Sequence, residues 1–214
     1  MSARVICISR ALGAGAEEAA AEVARELGFR CVDEEIVARA AERQNVDPEL
    51  VASEEQRKSF FAQLFDYIGR AGNLGGVEMV ASPHPGGMLP HSEDLRRYIR
   101  DAIAETAAQG NVVIVAHAAS HALGARTDVL RVLVSGSRHA RAGRIAASEG
   151  KPLAAAMAFV NDSDEARADY LERFYGVRGE SPEHYDLIVS TDTLSPAQVA
   201  EVILAAARRV GPAA

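Results

Sequence analysis

The sequence predicts an α/β protein built on a mostly parallel sheet of about five strands flanked by helices. Three observations carry this reading. Short apolar runs alternate with longer amphipathic segments along most of the chain, the pattern of repeated βαβ units. Apolar runs at 112–115 and 129–134, the second broken only by Arg131, read as parallel strands covered on both faces. The chain also opens as strand, glycine loop, helix and strand, which sets a helix N-terminus beside the carboxyl end of the first strand.

That opening spans residues 3–33. The apolar run Val5 to Ile8 breaks at Ser9, and a loop with Gly13 and Gly15 follows. An alanine-rich amphipathic segment over 17–27 then ends at Gly28, where a left-handed helix stop belongs. A second short apolar segment, Cys31-Val32, leads to Asp33. Helical spacing recurs over 34–43 through Ile36, Val37, Ala40 and Ala41. Asp47-Pro48-Glu49 reads as a helix start, with Asp47 as cap and Pro48 in the first turn, for a helix reaching about residue 70. Its aromatic cluster, including Phe60, Phe61 and Phe65, reads as core or as a homodimer contact.

Residues 69–91 are rich in glycine and proline and read as a long mobile loop. Helices are then expected over 92–109, closed by Gly110, over 138–148, and over 164–175. A third late strand lies at 187–189, and the last helix starts at Ser195-Pro196 and runs to about residue 209.

The chain has 214 residues, enough for one domain over 1–214 with a substantial core. A formal net charge of −7 argues against nucleic-acid binding, which needs a basic face. No apolar run reaches the length of a membrane span, and the first residues lack the form of a signal peptide, so a cytoplasmic location is expected. The two cysteines, Cys7 and Cys31, lie in apolar runs and read as buried thiols. Lys58 and Lys151 are the only lysines, so basic chemistry falls almost entirely to arginine.

Three readings compete for the glycine loop. A dinucleotide fingerprint matches Gly13 and Gly15, with Asp33 as the ribose acid, but needs a small residue where Glu18 stands. A Walker A loop ending on Gly15 would place Ala16 at the lysine and Glu17 at the magnesium-binding hydroxyl. A tight structural turn needs neither. His117 and His121 have helical metal-ligand spacing, but no glutamate between them and no third ligand, so no metal site is expected.

Ile8-Ser9-Arg10, Gly13-Ala14-Gly15, Leu27-Gly28 and Val32-Asp33 follow one another in an order that resembles the cytidylate kinase-like family. Val113-Ile114-Val115-Ala116-His117-Ala118 stands where family members have Val-Ile-Val-Gly-Arg-Gly. Arg141 and Arg144 match the arginines before the lid. Asp164, Arg167 and Tyr170 match the lid's Asp-x-x-Arg-x-x-Tyr, and Tyr185-Asp186-Leu187, Thr191 and Leu194-Ser195 match the last strand and its exit. The resemblance implies a three-layer P-loop nucleoside-monophosphate kinase-like fold with a lid at about 150–180. It implies ATP and Mg²⁺ as donor and cofactor, and phosphoryl transfer to a nucleoside monophosphate or similar small acceptor.

On this resemblance Arg10 and the loop residues Gly13, Ala14, Gly15, Ala16 and Glu17 would bind phosphate. Arg141, Arg144 and Arg167 would serve the transferring phosphoryl group. Asp33 and Arg39 would position the acceptor under the 69–91 loop, and His117 and Asp164 are further candidates. The chain departs from the family at the missing Walker lysine, at Glu17, and at Ala116-His117-Ala118. The alternative is therefore a catalytically inactive kinase-like protein, acting as a nucleotide sensor or protein-interaction scaffold.

Overall fold

Five parallel strands make one sheet in the order β2-β3-β1-β4-β5. They are β1 (Val5–Arg10), β2 (Arg30–Val32), β3 (Val112–Val115), β4 (Val129–Ser135) and β5 (Leu187–Ser190). The computed structural model describes residues 2–32, 92–116, 119–124, 126–177 and 179–210. The helices expected over 34–43 and 47–70, the 69–91 loop, and the site candidates Asp33, Arg39 and His117 lie outside the described residues.

The central strand explains itself. Val5, Ile6, Cys7 and Ile8 are all buried, so β1 is apolar on both faces and pairs with β3 on one side and β4 on the other. One face, through Ile6, Ile8, Val113, Val115, Val132 and Val134, packs on α1 (Ala16–Leu27) and on α6 (Pro196–Ala207). Alanines at 19 and 20 let α1 lie close to the sheet. Ser195 and Gln198 cap α6 reciprocally, a capping box with Pro196 in the first turn.

Among the described residues the other α-helices are α2 (Ser92–Gln109), α3 (Ala119–Leu123), α4 (Arg138–Glu149) and α5 (Leu153–Tyr175). Ser137 caps α4, accepting from the Ala140 amide at 3.3 Å, and Gly150 ends it in the left-handed conformation. Among the described residues no helix is long and apolar enough to cross a membrane.

Three expectations need correction. The helix expected to begin at Asp164 begins at Leu153. Its first turns, Leu-Ala-Ala-Ala-Met-Ala-Phe-Val, carry no polar face, so periodicity missed them. They form because Ala156 and Val160 pack against Ala142 and Ile145 of α4. The short helix α3 was not expected at all. Cys31 is exposed, since the strand order puts β2 at the sheet edge. Cys7 is the buried thiol that was expected, and burial pushes its pKa up to about 12, which leaves it inert.

Candidate functional site

The loop between β1 and α1 is a sharp turn. Gly13 has φ 74° and Gly15 φ 71°, a left-handed region that other residues rarely enter. Both also lie against neighbouring elements. A side-chain carbon at Gly13 would stand 2.8 Å from the Arg141 carbonyl oxygen of α4, and one at Gly15 would stand 3.1 Å from Pro196 of α6. Gly15 is the N-cap of α1, and no side chain caps that end. Its first-turn amides therefore lack a side-chain acceptor, and the helix dipole leaves them partly positive. Two loop amides are already committed: Ala11 donates to the Val134 carbonyl at 3.1 Å and Ala14 to the Ala11 carbonyl at 3.0 Å. Glu17 lies in the first turn with its carboxylate 2.5 Å from Arg10, whose buried Nε has no hydrogen-bond partner.

Three arginines reach the loop from α4 and α5, each donating to a main-chain carbonyl. Arg141, 3% exposed, donates from Nη1 to the Leu12 carbonyl at 3.2 Å and from Nε to the Gly136 carbonyl at 2.9 Å. Arg144 donates from Nη1 to the Gly13 carbonyl at 3.0 Å and from Nη2 to the Thr191 carbonyl. Arg167 donates to the Arg10 carbonyl. Arg10, Gly13 to Glu17, Arg141, Arg144, Asp164 and Arg167 are thus gathered beyond the carboxyl ends of β1 and β4.

Two of these arginines have carboxylate partners. Asp164 takes Arg141 through both oxygens, at 2.9 and 2.7 Å, and also accepts from Arg138 Nε at 3.1 Å. Burial alone would raise the Asp164 carboxyl, but the hydrogen bonds and charge of Arg141, then of Arg138, hold it below 3.8. Glu180, which the sequence did not single out, accepts from Arg167 Nε at 2.8 Å and from the Tyr185 hydroxyl. Nothing local in Gly179-Glu180-Ser181 advertises that role. A cleft of about 190 Å³ lies between these two ion pairs, Ala11 and the β4 side chains Leu133 and Ser135.

Beside Tyr185 lies an aromatic and imidazole cluster. The His121 ring is 4.5 Å from His184, 5.0 Å from Tyr175 and 6.5 Å from Tyr185, and His121 Nε2 and His184 Nδ1 are buried without a partner. Burial, then the neighbouring His184, lowers the His121 pKa below 6.5, with Arg167 and Arg131 adding and Glu180 opposing. As pH falls through 6.5 the unfolded chain takes up a proton that folded His121 refuses. Stability is therefore expected to fall on acidification from 6.5 toward the lowered folded value, and to be flat in this group above pH 6.5. Urea midpoints at pH 7.5 and 5.5 check this, and His121→Gln should show the smaller loss. Among the described residues no group of three or more His, Cys, Asp or Glu is arranged to hold a metal ion.

Residues 5–193 match the family model described as the cytidylate kinase-like family. The chain belongs to that family. The matched range includes the glycine loop, both arginine helices and β5. No curated protein matches. Among solved structures, an uncharacterized protein from Eubacterium ventriosum is similar at TM-score 0.62 and 13% identity, over 94% of this chain and 96% of that one. Shikimate kinase from Acinetobacter baumannii, in complex with shikimate, is similar at TM-score 0.51 and 13% identity, over 94% and 91%. Identities this low speak to fold alone. The fold is the P-loop kinase-like one, a parallel five-stranded sheet flanked by helices, and the chain is kinase-like by family.

Proposed function

We propose that this chain binds ATP over the N-terminus of α1 and transfers its terminal phosphoryl group to a nucleoside monophosphate or similar small acceptor. The observation that supports this most directly is an uncapped helix N-terminus gathered with the guanidiniums of Arg141, Arg144 and Arg167. The first-turn amides would receive phosphate oxygens without having to break a side-chain cap. Arg144 has carbonyl partners on both Nη atoms and no carboxylate partner among the described residues, so its charge is the one most available to an incoming phosphate. Arg10, held by Glu17, would steady the loop from its β1 side. Asp33 and Arg39 are proposed to position the acceptor. Magnesium, bound to the incoming nucleotide, would neutralise part of the polyphosphate charge.

A second reading has its own observation. Glu17 stands where a phosphate-binding loop carries a hydroxyl and is paired with Arg10, while Asp164 and Glu180 occupy Arg141 and Arg167. A kinase-like protein that senses a nucleotide, or presents its surface to another protein, would tolerate that arrangement.

Calorimetry with ATP, CMP and their mixture, with and without magnesium, separates the two, followed by a coupled phosphoryl-transfer assay. ATP binding that weakens on the order of tenfold in Arg144→Ala, as for loss of one charge-assisted contact, supports the site. Turnover with any monophosphate then supports the enzyme. Binding of neither nucleotide overturns the first reading.

A further inference from the structure

We infer that Asp164 and Glu180 stand in for phosphate oxygens, so that the cleft beside the glycine loop is an oxyanion site kept closed by the chain's own carboxylates. This rests on the reading of the loop as a phosphate site and adds its regulation. The geometry is that of anion recognition. Asp164 meets Arg141 through two parallel N–H···O contacts, at 2.9 and 2.7 Å, the forked pairing that guanidinium makes with carboxylate and phosphate alike. Glu180 holds Arg167 through Nε at 2.8 Å and through Nη2. The cleft of about 190 Å³ is walled by both pairs together with Ser135 and Ala11.

The carboxylates are themselves fixed. Glu180 accepts from the Tyr185 hydroxyl, and Tyr185 is 7% exposed, so this acid cannot swing away without breaking a buried contact. Asp164 carries a second cation, Arg138. Each arginine also donates to a carbonyl of the loop strand, Arg141 at Leu12 and Arg167 at Arg10. Displacing a carboxylate therefore frees a guanidinium that is already aimed at the loop. An arriving polyphosphate competes for the same donors, and its observed affinity is reduced by the fraction of molecules whose arginines are engaged. The occupant this chemistry selects carries several closely spaced oxyanions, as a polyphosphate does, since it must replace two carboxylates at once.

The test is calorimetric titration of the full chain with inorganic tripolyphosphate, for wild type, Asp164→Asn and Glu180→Gln. Each substitution keeps the shape of the side chain and removes its charge. We expect each variant to bind tripolyphosphate on the order of tenfold more tightly than wild type, within the usual range of coupling between competing contacts. Tyr185→Phe, which loosens Glu180 without touching its charge, is expected to give a smaller gain in the same direction. Thermal melting of each variant shows that it is folded, and Glu180→Gln carries the test should Asp164→Asn not fold. Folded variants that bind no more tightly than wild type overturn the inference. If wild type transfers no phosphoryl group while a variant gains tripolyphosphate binding, the closed site stands and the phosphoryl-transfer reading falls. If wild type binds ATP and the variants gain nothing, the reverse holds.

Discussion

Replacing Arg141 by methionine is expected to cost the fold about 3 kcal/mol, the low end for breaking a buried ion pair by removing one partner. The side chain is 3% exposed and spends its donors on two carbonyls and a carboxylate. Its removal leaves the Leu12 and Gly136 carbonyls without that donor and Asp164 with a weaker partner. Arg138 remains 3.1 Å from Asp164, and the Asp164 side chain is 23% exposed, which is why the low end applies. The pair also ties α4 to α5 and to the glycine loop, so the loss is not confined to one contact. The double variant Arg141→Met with Asp164→Leu should recover most of the stability, because no buried charge then goes unpaired. Urea unfolding with an unchanged slope would measure it. A single variant within 0.5 kcal/mol or so of wild type, the range of an ordinary surface substitution, would show that the pair does not hold the loop.

The Asp164 carboxyl gives that experiment a pH signature. Its pKa is held below 3.8 in the folded chain, so its share of stability is present above that value and is lost as pH falls through the folded one. In Arg141→Met most of that share is absent at every pH, and the acid limb of the stability curve should be shallower than in wild type.

Gly13→Ala is the second large effect, at about 2–4 kcal/mol from two separable sources. The first is conformational: φ of 74° is strained for any residue with a Cβ. The second is contact. The new carbon would lie 2.8 Å from the Arg141 carbonyl oxygen and 2.9 Å from Ile145 Cδ1. The Ile145 contact is with a side-chain end, but the carbonyl belongs to the α4 backbone and moves only with the helix. Gly28→Ala supplies the comparison, because Gly28 has φ 66° and nothing within 4 Å of an added carbon. It should show the conformational cost alone, roughly 1–2 kcal/mol. Equal losses at the two glycines would mean that α4 yields freely and that the loop is not clamped from behind.

What the sequence determined by itself is what depends on short spacing. The runs that became β1, β3, β4 and β5 are apolar over a few residues. Gly28 and Gly110 mark helix ends one residue at a time, and Ser195-Pro196 marks the start of the last helix. The spacing of Arg141 and Arg144 was likewise enough to put both on one side of a helix, and both do reach the loop. The order of family motifs, read end to end, named the family before any contact was known.

The tertiary structure alone decided what those groups touch. Arg141 meets a carbonyl 129 positions away in sequence and Arg167 one 157 positions away, and no local pattern encodes either meeting. The partnership of Glu180 with Arg167 and Tyr185 was invisible for the same reason, as was the start of α5, which needed the apolar face of α4 to form against. Cys31 sits in an apolar run, but its exposure follows from the strand order, which puts β2 outside β3 at the sheet edge. Residue type told which side chains can hold an anion; packing determined that two of these arginines already hold carboxylates from the chain itself.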